Sequence, residues 1–120
     1  MASESGWVDS SGNAFVVVRF VNGERVECLV DTGFNGDLLL PLTIAERFGL
    51  RFTGDVELLL AGGAMAHAFT SVAEIIWTEK RREVELILSE GSDRLIGVGL
   101  LRGTRLKIDY INQVLEIEKP

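Results

Sequence analysis

Ala14 to Val21 is an apolar run rich in valine, Asn22-Gly23 follows it, and Glu24 to Val30 reads as a returning strand. Asn-Gly between two such runs supplies the left-handed turn that suits the twist of paired strands. The segment therefore predicts an antiparallel hairpin whose second strand, Val26-Glu27-Cys28-Leu29-Val30, ends by delivering Asp31. A hydroxyl and a glycine come next, in Asp31-Thr32-Gly33-Phe34. A carboxylate at the end of a buried strand, with a glycine two residues on, is a chemical feature as much as a turn.

The rest of the chain is punctuated in the same way. Thirteen glycines against two prolines suit a small β protein with many tight turns. Asn35-Gly36 turns again before a short buried strand, Asp37 to Leu40. Thr43 to Phe48, stopped by Gly49, is expected to be the only helix longer than one turn. Strands are expected at Val56 to Leu60, Ala66 to Trp77 and Val84 to Leu88. Two alternating, half-buried strands close the chain, Leu106 to Tyr110 and Val114 to Glu118. Residues 1–13, small and polar apart from Trp7-Val8, are expected to be ordered in part at most. Residues 14–120 are expected to form one domain.

Two further stretches join the Asp31 motif. Leu95-Ile96-Gly97-Val98-Gly99-Leu100-Leu101 places a glycine after two apolar residues and before a Leu-Leu pair. Between them, Leu58-Leu59-Leu60-Ala61-Gly62-Gly63-Ala64 is an apolar strand broken by a double glycine. In this order, from about Phe15 to Glu118, the chain resembles a retropepsin-like aspartic protease of the small single-domain bacterial and archaeal type. The resemblance implies an all-β, closed-barrel acid-protease fold with one or two short helices. It implies a catalytic loop of Asp31, Thr32 and Gly33, a substrate-contacting flap at Ala61, Gly62, Gly63 and Ala64, and structural support from Leu95, Ile96 and Gly97 packed behind that loop.

The chemistry needs two carboxylates, and the motif occurs once. Like charges held a few ångströms apart cannot both ionise, so a pair shares one proton and serves as base and acid together. A homodimer is therefore expected, with Asp31 from each copy facing the other across a two-fold axis. Thr32 would tie the two loops together across that axis. Val114 to Glu118, joined by Trp7-Val8, would form the dimer sheet or else close the monomer's own barrel. Phe34 stands where many retroviral relatives carry alanine, and its ring is expected either against substrate or packed into the core or dimer contact. Asp37 and Asp109 lack a following Thr-Gly or Ser-Gly, which argues against a second acid within one chain. The rival reading is a catalytically silent, protease-like dimerisation or peptide-binding module.

The remaining signals exclude other classes. A net charge of −6 argues against nucleic acid or an anionic membrane as partner, leaving a peptide or protein substrate. Lys80-Arg81-Arg82, bracketed by glutamates, reads as a solvated hairpin turn. His67 is the only histidine, so neither a histidine-rich metal site nor an independent nucleophile–base pair is expected, and no cofactor or metal is called for. Gly97-Val98-Gly99 opens no long helix, which rejects a dinucleotide site. Cys28, the only cysteine, reads as a buried structural thiol. With no signal-peptide pattern and no membrane-spanning run, a cytoplasmic protein is expected.

Overall fold

The computed structural model describes residues 2–60 and 62–120. Their strands are β1 (Ala2–Val8), β2 (Ala14–Phe20), β3 (Arg25–Val30), β4 (Leu38–Pro41), β5 (Gly54–Leu59), β6 (Met65–Trp77), β7 (Lys80–Ser89), β8 (Leu95–Ile96), β9 (Arg105–Asp109) and β10 (Val114–Lys119). Two short helices interrupt them, α1 (Thr43–Phe48) and α2 (Val98–Leu101). The fold is thus mostly β. Strand order is β5-β6-β7-β4-β8-β3-β2-β1-β10-β9, and β6 pairs also with β2 through Arg19–Ile76 and Phe20–Ile75.

The β2–β3 hairpin forms about Asn22-Gly23, with Phe15 opposite Leu29 and Val18 opposite Val26. Gly23 has φ 96°, the left-handed geometry that glycine adopts without a Cβ penalty. Alternation then does the sorting. Val16, Val18, Val26 and Cys28 face the core with Leu38, Leu40, Leu86, Leu88, Ile96 and Leu100, while Glu27 and Arg19 face water. Burial pushes the Cys28 thiol up to about 12, so it stays protonated and behaves as a small apolar side chain.

Residues 2–8 are more ordered than the sequence suggests. β1 pairs with β2 on one side and with β10 on the other. Its ladder is made by neighbours distant in sequence, which small polar residues such as Ser3 and Ser5 do not advertise. Gly6 is required there, because a Cβ would collide with the Phe15 carbonyl. The terminal strand β10 lies between β1 and β9 within the same chain.

The Lys80-Arg81-Arg82 cluster lies in β7 and not in the turn, which falls at Thr78-Glu79. Both turn residues have positive φ, 48° and 69°, without being glycine or asparagine. Glu4 holds this strained turn from the other end of the chain, its carboxylate accepting the Thr78 N–H at 2.7 Å. Arg19 lies 3.7 Å from the same oxygen.

Burial raises the Glu4 pKa above 4.5, outweighing the Thr78 hydrogen bond and Arg19, both of which lower it. The folded state therefore holds this proton more tightly than the unfolded chain does. Its contribution is fully present below pH 4.5 and is lost as pH rises through the raised value. Glu4→Gln keeps an acceptor for Thr78 and cannot ionise. Thermal unfolding from pH 4 to 8 is expected to show a decline above pH 4.5 in the wild type that is smaller in Glu4→Gln; superimposable profiles would remove Glu4 as its source.

Candidate functional site

Asp31 leaves the end of β3 with its backbone N–H bonded to the Ile96 carbonyl, 3.0 Å away. The next turn is closed by Phe34 N–H donating to the Asp31 carbonyl at 3.1 Å. The loop is then stitched onto residues 97–99. Gly97 N–H donates to Asp37 O, Val98 N–H to Phe34 O, and Gly99 N–H to Gly36 O, at 2.8–3.0 Å. Residues 31–37 are thus clasped by four backbone hydrogen bonds to the Ile96–Gly99 segment, each worth about 1 kcal/mol net.

Glycine is needed at two positions on the Ile96–Gly99 side of this clasp. A Cβ at Gly97 would collide with the carbonyl oxygens of Phe34 and Gly36, and one at Gly99 with the Asp37 carboxylate. Gly97 is buried, and Leu95 and Ile96 pair with Leu29 and Val30, directly beneath Asp31. The structure therefore brings Leu95, Ile96 and Gly97 together with the Asp31 loop.

The Asp31 carboxylate is half-buried, and Thr32 and Gly33 are exposed. Gly33 N–H donates to Asp31 Oδ1 at 2.8 Å. This bond fixes the carboxylate against the loop that carries it. A Cβ at Gly33 would lie 3.2 Å from the same oxygen, tighter than ordinary contact. The Phe34 ring folds back over Gly36 and Gly97 and is half-buried. Its ring therefore packs against the glycines of its own loop and of the 97–99 segment.

Two residues that sequence reading did not assign to the site brace the clasp, Asp37 just before β4 and Arg82 on β7. Asp37 accepts the Glu85 N–H at 3.0 Å, and the Arg82 guanidinium donates to the Gly99 carbonyl at 2.9 Å. Trp77 Nε1–H bonds to Leu100 O from β6. No local pattern marks these residues, since their partners lie 17 to 48 positions away.

The double glycine forms the tip of the β5–β6 hairpin. Gly62 and Gly63 have φ 88° and 87°, and Leu60 N–H closes the turn on Ala64 O at 2.7 Å. Gly62, Gly63 and Ala64 are exposed, as are Leu59, Leu60 and Met65; Ala61 lies outside the described residues. This tip shares no hydrogen bond with the Asp31 loop among the described residues. His67, on the same hairpin, is exposed and lies 3.7 Å from Asp55. A separate cleft of about 650 Å³, lined by Phe20, Phe48, Arg51, Val72 and Glu74, does not include Asp31. No cluster of three metal-ligating side chains occurs among the described residues, and no described helix is long and apolar enough to cross a membrane.

Comparison with solved structures finds a retropepsin-like aspartic protease from Rickettsia conorii with a TM-score of 0.70 and 22% identity. The match covers 97% of this chain and 98% of that one. The two share a fold over almost their whole length. No family model matches the chain, and no curated protein matches it by sequence.

The clasp generates a test. A Cβ at Gly36 would meet only the Phe34 ring among its nearest neighbours, at 2.6 Å, whereas one at Gly97 meets backbone. Gly36→Ala is expected to destabilise by about 1–3 kcal/mol, and Phe34→Ala in the same chain to relieve most of that added cost. Gly97→Ala is expected to cost at least as much, with no relief from Phe34→Ala. Urea unfolding of the single and double variants reads the coupling, and additive effects at positions 34 and 36 would contradict it.

Proposed function

We propose that the chain is an aspartic endopeptidase whose active site forms when two copies bring their Asp31 carboxylates together. The observation that carries this reading is the Asp31 loop itself. A lone carboxylate is braced by the Gly33 N–H on a backbone clasp that glycine alone permits, beside an exposed Thr32-Gly33 tip, in a retropepsin-like fold. A chain that only bound peptides would gain nothing from bringing two repelling carboxylates to a common axis.

In the dimer one carboxylate is ionised and takes a proton from water, while the other is protonated and donates toward the substrate carbonyl. The attacking oxygen adds to the carbonyl carbon. The shared proton goes to the carbonyl oxygen to give a gem-diol, and the proton taken from water passes to the departing nitrogen as the C–N bond breaks, while a gem-diol hydroxyl returns a proton to the dyad. Thr32 links the two loops across the axis. Gly62, Gly63 and Ala64 cover the substrate as a mobile lid, and Phe34 shapes the floor through Gly36. No metal or cofactor enters these steps. The β2–β6 pairing supports a closed-barrel description of the fold, and a single cysteine, which allows no disulfide within the chain, suits a cytoplasmic setting.

Peptide-library cleavage from pH 4 to 7, read by mass spectrometry at high protein concentration, tests the proposal. Asp31→Asn is expected to abolish cleavage while leaving fold and dimer intact. Well below the dimer constant, the wild-type rate is expected to rise with the square of enzyme concentration. A fully active Asp31→Asn variant would falsify the mechanism.

A further inference from the structure

We infer that the cleft at the root of the β5–β6 hairpin is an exosite, which captures a substrate segment carrying a bulky apolar side chain two positions from a lysine or arginine. The cleft carries the binding part of this inference, and only its effect on cleavage rests on the peptidase reading of Asp31. Its volume of about 650 Å³ lies within the range of about 300–1,000 Å³ usual for small-ligand sites. Asn22, in the turn between β2 and β3, lines it. β3 then runs six residues before Asp31. At about 3.3 Å per residue, that sets the cleft about 20 Å from the carboxylate.

The floor of the cleft is apolar. Phe20 and Phe48 meet edge to face with ring centroids 5.1 Å apart, and Leu50 and Val72 line it with them, Val72 being 42% exposed. The segments that frame it are tied in place by polar bonds. Asn22 Nδ2–H donates to Phe48 O, Val21 N–H to Glu74 O, and the Ser71 hydroxyl to Arg51 O. Apolar surface held open in this way gains by being covered.

The rim supplies the charge. Glu74 on β6 stands directly opposite Glu83 on β7, and both line the cleft. Like charges so placed destabilise a sheet. Neither carboxylate is ion-paired among the described residues, and the neighbouring cations are engaged elsewhere, Arg19 beside Glu4 and Arg82 on the Gly99 carbonyl. Arg81 shares the face of Glu83 and is exposed, yet pairs with neither. A cation from outside would offset the repulsion and pair with both acids. No group of three metal-ligating side chains occurs among the described residues, so the donors suit an organic cation better than a metal ion. Val72 and Glu74, two apart on one strand, face the same side about 7 Å from each other. An extended peptide repeats that spacing in its own alternate side chains, which sets leucine against Val72 and lysine between Glu74 and Glu83. The exposed Arg51 guanidinium is left for the peptide's carbonyl oxygens.

Fluorescence anisotropy of a labelled Leu-Ser-Lys-Ser-Leu peptide on the Asp31→Asn protein, in which the cleft is untouched, tests the binding. Saturable binding is expected, at least tenfold tighter than that of the Leu-Ser-Glu-Ser-Leu version. Glu74→Gln with Glu83→Gln is expected to weaken it at least tenfold and Val72→Ser severalfold. Glu57→Gln with Glu116→Gln, the same change of charge elsewhere on the surface, is expected to leave it unaltered. No saturable binding, or equal loss in the two double variants, would overturn the inference. For a peptide that the wild type cuts, adding the segment six or more residues from the cut is expected to lower KM at unchanged kcat, a gain lost in Glu74→Gln with Glu83→Gln. A KM indifferent to the segment would overturn its part in substrate capture. Binding with the expected losses, in a wild type that cleaves nothing, would keep the cleft as a peptide site and remove the protease reading instead.

Discussion

The site depends on one interlocking contact, the seating of residues 31–37 on the backbone of Ile96–Gly99. Four main-chain hydrogen bonds make it, and they form only because Gly97 and Gly99 let carbonyls and a carboxylate approach where any Cβ would collide. A loop carrying a carboxylate at a strand end would otherwise be free to sample many conformations, at a cost of about 1–2 kcal/mol per residue to order. Here that ordering is made during folding, and Asp31 is presented in one arrangement before any partner or substrate arrives. Such prior positioning is what the proposed peptidase would require of its carboxylate.

The surrounding fold can be understood as holding the two halves of the clasp in place. β3 and β8 pair in parallel, so that Val30 and Ile96 reach the loop together. β4 lies between β8 and β7 and carries Asp37 to the β7 backbone at Glu85. Arg82 and Trp77 then fix α2 from β7 and β6. The Trp77 bond is the buried one of these, so removing its N–H would leave the Leu100 carbonyl unsatisfied, which costs more than the bond itself contributes.

Much of this was legible in the sequence because it is local. The Asn22-Gly23 hairpin, the Gly49 stop after α1 and the double-glycine tip each carry their own turn chemistry. The Gly97 requirement was implied by the resemblance that Leu95 to Leu101 carries, and a Cβ there would collide with backbone carbonyls. What escaped depends on distant neighbours. β1 is a strand because β2 and β10 flank it, and the Thr78-Glu79 turn tolerates positive φ because Glu4 reaches it across the whole chain. Asp37 was set aside from the sequence as a second acid, but that its carboxylate serves the β7 backbone was not visible there. Phe34 was open to two placements, and its ring covers glycines that no composition argument connects to it.

The central claim is that one working site takes Asp31 from two chains. Mixing wild type with Asp31→Asn at constant total concentration, above the dimer constant and with free subunit exchange, tests it directly. A shared dyad leaves mixed dimers inactive, so peptide cleavage should fall as the square of the wild-type fraction, to about a quarter at equal amounts. A linear fall, to one half, would mean that each chain cuts alone and would contradict the account.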